Sequence, residues 1–239
     1  MTLSERSISR RSAVAAGLGI FASLGLAACG SSETAGSAPA SSSSADEQVD
    51  ETVQIDADAY DQLIDSIPAA DDAKIAASTW ATKVKDAGVL RVGGVQTSML
   101  FSLLNEKDGV LRGFDAGLSQ MLARYIMGDA AKIEDTQVTS DTRESVLQND
   151  QVDVVFATYS INDDRKKVIS FAGPYYTTQQ SILVMADNKD INSVDDLAGK
   201  NVAAQSGSTG PAILEEFAPK ATVQEFKTDE EARTALSQG

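Results

Sequence analysis

Histidine is absent from all 239 residues, which removes the usual partner of a nucleophilic serine or cysteine, so neither a Ser-His nor a Cys-His pair can be assembled. Cysteine occurs once, as Cys29, so no intrachain disulfide can form. Carboxylates do not fill the gap, since the adjacent Asp163 and Asp164 point in different directions instead of converging on one proton or metal ion. Positive charge is also short. Lysine and arginine total 20 against 35 aspartates and glutamates, a formal charge of −15 that argues against a nucleic-acid or anionic-membrane surface. An anion could be held only by a local cationic site working against the overall field. The apolar run from Ala13 to Ala28 is too short for a comfortable membrane span.

What is present includes 42% apolar residues, enough for a core in one or two domains. Arg6, Arg10 and Arg11 precede the first apolar run, which ends in LAAC, Leu26 to Cys29. Residues 1–28 resemble a bacterial lipoprotein signal, which implies that Cys29 is the acylated first residue of the mature chain and anchors it to the outer face of the cytoplasmic membrane. Ser9-Arg10-Arg11-Ser12 also resembles a twin-arginine export signal, though Ala13 and Val14 fit that motif loosely. Residues 29–55 read as a tether. Gly30 to Ala45 is mostly serine and alanine, which cannot bury enough surface to offset the entropy of ordering, and acidic residues accumulate from Asp46 to Asp72.

From residue 56 the pattern becomes that of a folded chain. Residues 56–86 have helix-forming composition broken at Pro68, which predicts two helices outside a sheet. GVLRVGG from Gly88 reads as a first strand, and Ala131 to Val138 as a second. In GFDAGLSQMLARYI from Gly113, Leu118, Met121, Leu122, Tyr125 and Ile126 recur on one helical face, with Asp115 as the cap, so Met121 and Tyr125 read as core. Asp141 with Glu144 forms a capping box for a helix through Asn149. VDVVFAT, Val152 to Thr158, is short, apolar and β-branched, the pattern of a central parallel strand covered on both faces. SILVM, Ser181 to Met185, is another apolar run. Further on come a cap at Ser193 and Asp196 closed by Gly199, the strand NVAAQ, a helix opened by Pro211, and a last helix started by Thr228 and Glu231. Strands alternating with helices define an α/β fold.

Ligands of open α/β sheets collect where the strands end. Thr158, Tyr159 and Ser160 fall at such an end, and Arg165 follows in a turn opened by Asn162 and Asp163. An arginine there can grip a carboxylate with two parallel hydrogen bonds; the alternative is an ordinary surface arginine. ATYSINDDRKKVISFAGPYY from Ala157, with GFDAGLSQMLARYI, SVDDLAGKNVAAQSGST from Ser193 and the closing TALSQG, resembles in order the amino-acid-binding proteins of ABC importers, solute-binding protein family 3. TYSIN and GPYY look most like the glutamate-binding branch.

That resemblance covers roughly Ala87 to Gly239. It implies a two-lobed periplasmic-binding-protein-like α/β fold with a hinge, with lobe one at 87–179 and part of lobe two at 180–239. SILVM would make the crossing between lobes. The chain would be C-terminally truncated, lacking the ligand-binding aspartate and the return crossing that the family places after TALSQG. It implies no enzyme, no cofactor and no metal, with an amino acid as ligand (glutamate first, then aspartate, glutamine and other polar amino acids) and the permease subunits of a transporter as partners. Arg165 would take the α-carboxylate with Ser160 and the backbone near Thr158, while Gln205, Ser208 and Thr209 line a loop entering a helix N-terminus. Arg143 would meet a side-chain carboxylate, the alternative being a surface ion pair with Glu144 or Asp141. Phe101 either covers the ligand or joins the core, and Val95 to Ser98 leave that wall undetermined. Gly117 departs from the family pattern, which has an acidic residue there. Two other readings stay open: a carboxylate-using dehydratase on the same fold, and an amino-acid sensor without transport.

Two or more acyl chains anchor a protein stably where one is marginal. Cys29→Ser is expected to move the protein from the membrane fraction to the medium or soluble fraction. Unchanged fractionation, with no lipid label on the wild type, would contradict the assignment.

Overall fold

A computed structural model describes residues 55–239; the signal, Cys29 and all of the tether except Ile55 lie outside the described residues. Among the described residues, three helices, not two, precede the first strand: α1 (Ala57–Asp65), α2 (Asp72–Ala76) and α3 (Thr79–Ala87). The extra break falls at Ala77, where the chain turns into a new N-cap whose Ser78 hydroxyl accepts from the Ala81 N–H. There follow β1 (Leu90–Gly94), the short β2 (Thr97–Ser98), β3 (Ser102–Asn105) and β4 (Val110–Arg112), α4 (Phe114–Met127), β5 (Ile133–Gln137), α5 (Arg143–Gln148), β6 (Val154–Phe156) and α6 (Asp163–Lys166). After a long segment without helix or strand come a 3-10 turn at Val194–Leu197, β7 (Asn201–Gln205), α7 (Gly210–Phe217), β8 (Thr222–Phe226) and α8 (Asp229–Gln238).

The first unit is a parallel sheet in the order β5-β1-β6, with Leu90 opposite Ile133 and Gly94 opposite Phe156. The central strand is therefore β1, and β6 lies at the edge of the described sheet. Its run was expected to be central because both faces are apolar, and both are indeed covered: Val154 and Phe156 pack with Leu90, Val92, Ala123 and Ile126, while Val155 packs with Val138, Val146, Val152 and Ala157 on the other side. Burial on two faces does not require partners on two edges. β2, β3 and β4 form a small antiparallel sheet, and β7 pairs in parallel with β8 as the sheet of the second unit. The capping boxes at Ser193 and Thr228 form as expected, with the Ser193 N–H donating to Asp196 Oδ2 at 2.9 Å. Among the described residues SILVM joins no sheet, and it leaves Ile182, Leu183 and Met185 exposed.

Helix α4 is rotated from the expected face. Its buried residues are Asp115, Ala116, Gly117, Ser119, Ala123 and Ile126, while Met121 is half-buried and Tyr125 exposed. Small residues win because α4 is pressed from two sides, by the sheet and by α1. A Cβ on Gly117 would lie 3.1 Å from the Tyr60 hydroxyl and 3.6 Å from Ile64 Cδ1, so an acidic side chain at that position would collide with α1. Asp115 does not cap the helix. The carbonyls of Leu100 and Phe101 accept from the N–H groups of Phe114, Asp115 and Ala116 instead, which frees the Asp115 carboxylate to turn inward. The Asp141–Glu144 box is also missing: Thr142 is the N-cap, and Asp141 accepts from the Ser206 hydroxyl across to the second unit.

The close approach of Phe101 to α4 depends on Gly113, whose φ of 139° and whose missing side chain are both required, since a Cβ would overlap the Phe101 carbonyl and lie 2.8 Å from the Ser102 nitrogen. Gly113→Ala is expected to cost about 3 kcal/mol or more, measured as a lowered urea midpoint; an unchanged midpoint would refute this account of the helix start.

Candidate functional site

Beyond β6 the chain turns sharply at Thr158, which adopts φ of 45°, a left-handed conformation rare for a β-branched residue. Two buried charges hold that turn. The Thr158 N–H donates to Asp115 Oδ2 at 2.7 Å, and Arg143 Nη1 donates to the Ala157 carbonyl at 2.8 Å. Arg143 opens α5, is only 3% exposed, and lies 3.9 Å from the centroid of the Tyr159 ring. Burial, and then the neighbouring charge of Arg165, pull its pKa down to about 10, so it remains cationic at neutral pH.

Arg165 reaches the same place from α6, whose first turn is capped by Asn162 Oδ1 accepting from the Arg165 N–H at 2.9 Å. Its guanidinium donates to the Ser160 carbonyl at 2.8 Å and to the Gly207 carbonyl at 3.0 Å, and stands 4.4 Å from the Tyr159 ring. Arg143 Nη2 approaches the same Gly207 carbonyl at 3.5 Å. The Tyr159 hydroxyl donates to Glu144; burial first, and then this contact with a carboxylate, push its pKa up to about 12.

Between the two units lies a small polar cleft of about 180 Å³. Six residues predicted from sequence line it: Arg143, Thr158, Ser160, Gln205, Ser208 and Thr209. Arg165 does not, because its donors already face the Ser160 and Gly207 carbonyls. Arg143 forms no ion pair with Glu144 or Asp141, and its Nε has no hydrogen-bond partner. A larger hollow of about 360 Å³ shares Ser140, Thr158 and Gln205 with the first and extends past Val95, Ser98 and Phe101. Phe101 lines this hollow and packs edge-on against Phe114 and Tyr176; it is half-buried, and both of those rings are exposed, so it does not join the buried core. Sequence reasoning missed Ser140 and Gln180 in the cleft wall, the latter donating to the Thr209 hydroxyl at 3.3 Å. It also missed Asp115; the usable signal was an acid on the same helical face as Ala116, Ser119 and Ala123.

An α/β sheet unit joined to a second one across a small polar cleft is the fold of a periplasmic binding protein. The chain belongs to the bacterial extracellular solute-binding proteins, family 3, whose pattern matches residues 90–239. It is 41% identical over 158 residues to the glutamine-binding protein of Geobacillus stearothermophilus, covering 66% of this chain and 60% of that one. It is 33% identical over 141 residues to the glutamate-binding protein GluB of Corynebacterium efficiens, covering 57% and 48%. In structure it is similar to an ancestral amino acid-binding protein, a precursor of cyclohexadienyl dehydratase, with a TM-score of 0.62 and 34% identity over 66% of this chain and 70% of that one. The chain thus spans about half to three-fifths of the length of these two binding proteins.

The contact between the units rests on Gly207, which has φ of 67° and no room for a side chain: a Cβ would lie 2.8 Å from the Asp141 nitrogen and closer still to its carboxylate. Gly207→Ala is expected to push this loop away from α5, raising amide exchange across residues 205–210 and lowering stability by about 1–3 kcal/mol. Unchanged exchange and melting would show that the loop does not depend on this approach.

Proposed function

We propose that this protein captures a polar amino acid for an ABC importer, with glutamine as the leading ligand. The observation that makes the cleft a site for a polar amino acid is Arg143, a buried cation in its wall with an unpartnered Nε and no carboxylate of its own. Around it stand hydroxyls and amides from Ser160, Gln180, Gln205, Ser208 and Thr209, groups that both donate and accept and so suit a carboxamide. The similarity to a glutamine-binding protein, greater than that to a glutamate-binding one, supports the same choice. Glutamate, the first expectation from sequence, is the second reading, and the charge on Arg143 is what favours it.

In this reading Arg165 takes the ligand's α-carboxylate after Gly207 withdraws, since an anionic oxygen is a stronger acceptor than a neutral carbonyl. Ser160 and the Thr158 backbone assist it, and Arg143 faces the side chain. The protein binds without turnover. It hands its ligand to permease subunits and is held at the outer face of the membrane through lipid on Cys29.

Titration calorimetry against glutamine, glutamate, aspartate and cystine tests the choice. Glutamine is expected to bind most tightly; a tighter glutamate would favour the second reading, and no binding by any amino acid would defeat both. Arg165→Ala is expected to weaken binding by about 2 to 5 kcal/mol while the protein still melts cooperatively. Near-normal affinity in that variant would remove Arg165 from the site.

A further inference from the structure

The two buried charges that hold the turn after β6 grip the same peptide bond. Asp115 Oδ2 accepts from its N–H, that of Thr158, at 2.7 Å, and Arg143 Nη1 donates to its C=O, that of Ala157, at 2.8 Å. We propose that Asp115 is a positioning residue for the cleft: together with Arg143 it clamps the Ala157–Thr158 peptide and so fixes Thr158 and Ser160 where a ligand would meet them. This rests on the cleft being the ligand site proposed above.

The geometry is demanding in three respects. Asp115 is only 1% exposed and Arg143 3%, so neither charge has water to stabilise it. The peptide lies between them, and its dipole is aligned to serve both, with N–H toward the anion and C=O toward the cation; this allows a buried ion pair without direct contact. Thr158 holds φ of 45° against its own preference, a conformation that persists only when its surroundings enforce it. The Tyr175 hydroxyl sits beside the same carboxyl, and its pKa is raised by burial and then by the charge of Asp115. Tyr175 lies in the segment between α6 and the second unit, so the carboxylate also touches the chain on its way out of the first.

The test compares Asp115→Ala, which removes the acceptor, with Asp115→Asn, whose amide oxygen still accepts from Thr158 but carries no charge. If the alanine variant does not fold, Asp115→Leu replaces it. Two readouts separate the clamp from the ligand reading. Amide exchange at Thr158 needs no ligand: it is expected to rise at least ~10-fold in the alanine or leucine variant, the loss of a hydrogen bond to a charged group, and much less in the asparagine variant. Calorimetry with glutamine is expected to show at least ~10-fold weaker binding in the first and partial recovery in the second. Unchanged exchange overturns the clamp. Faster exchange and a lower melting temperature with wild-type affinity in the folded protein make Asp115 a structural residue only, and overturn the positioning role. If the wild type binds no glutamine or other amino acid, the ligand reading fails and exchange alone decides the clamp.

Discussion

Two guanidinium groups beside one tyrosine ring repel each other, and out of water they persist only where oxygen atoms surround them. Arg143 and Arg165 meet that condition with the carbonyls of Ala157, Ser160 and Gly207, and with the face of Tyr159. Much of this end of the molecule follows from keeping those oxygens in place. Ala157 and Ser160 belong to the segment leaving β6, so that strand must stop and turn where it does. Gly207 belongs to the loop after β7, so the second unit must stand against the first. In a chain with only 20 basic residues against 35 acidic ones, two of the twenty placed here oppose the overall charge.

The parts of the fold visible in the sequence were those decided locally. β1, β5 and β7 formed within the stretches read as strands, and the Ser193 and Thr228 caps formed because each box closes within four residues. Where a distant group competed, the local pattern failed. Asp141 has the spacing of a cap, yet it accepts from Ser206, 65 residues away, because the loop after β7 lies over it. The α4 face was read from its large residues, but a helix squeezed between α1 and the sheet buries its small ones. Edge or centre was likewise illegible for β6, since strand order is a property of the whole sheet and not of one run.

The same division governs the site. Six of the seven expected residues line one cleft because five sit where β6 and β7 end and Arg143 opens α5, positions that sequence locates well. Arg165 was placed correctly at its turn and capped by Asn162, but its direction depends on a carbonyl 42 residues further along. Arg143 was legible as a cation but not as a buried one. Its partner is a backbone oxygen, which no side-chain pattern encodes. Asp115 was hidden for a related reason: it serves a peptide 43 residues away while the helix start that it seemed to cap is satisfied by Leu100 and Phe101.

Gly207 gives the two-unit arrangement a particular consequence on the proposed reading. Its carbonyl occupies both arginines, so it stands where a carboxylate oxygen would bind, and the contact that holds the units together competes with the ligand for the same donors. A ligand must therefore part the units before it can reach Arg165, and its gain over the free state is the difference between a charged and a neutral acceptor, not the full strength of the new bond. Affinity then depends on how firmly the empty cleft is closed as well as on the cleft's chemistry, because a population held shut reduces the apparent binding constant by the fraction that is open. On that reading Asp141, Ser206 and Gly207 set that fraction from outside the cleft wall, so the loop after β7 governs affinity through these contacts as well as through Ser208 and Thr209, which line the cleft.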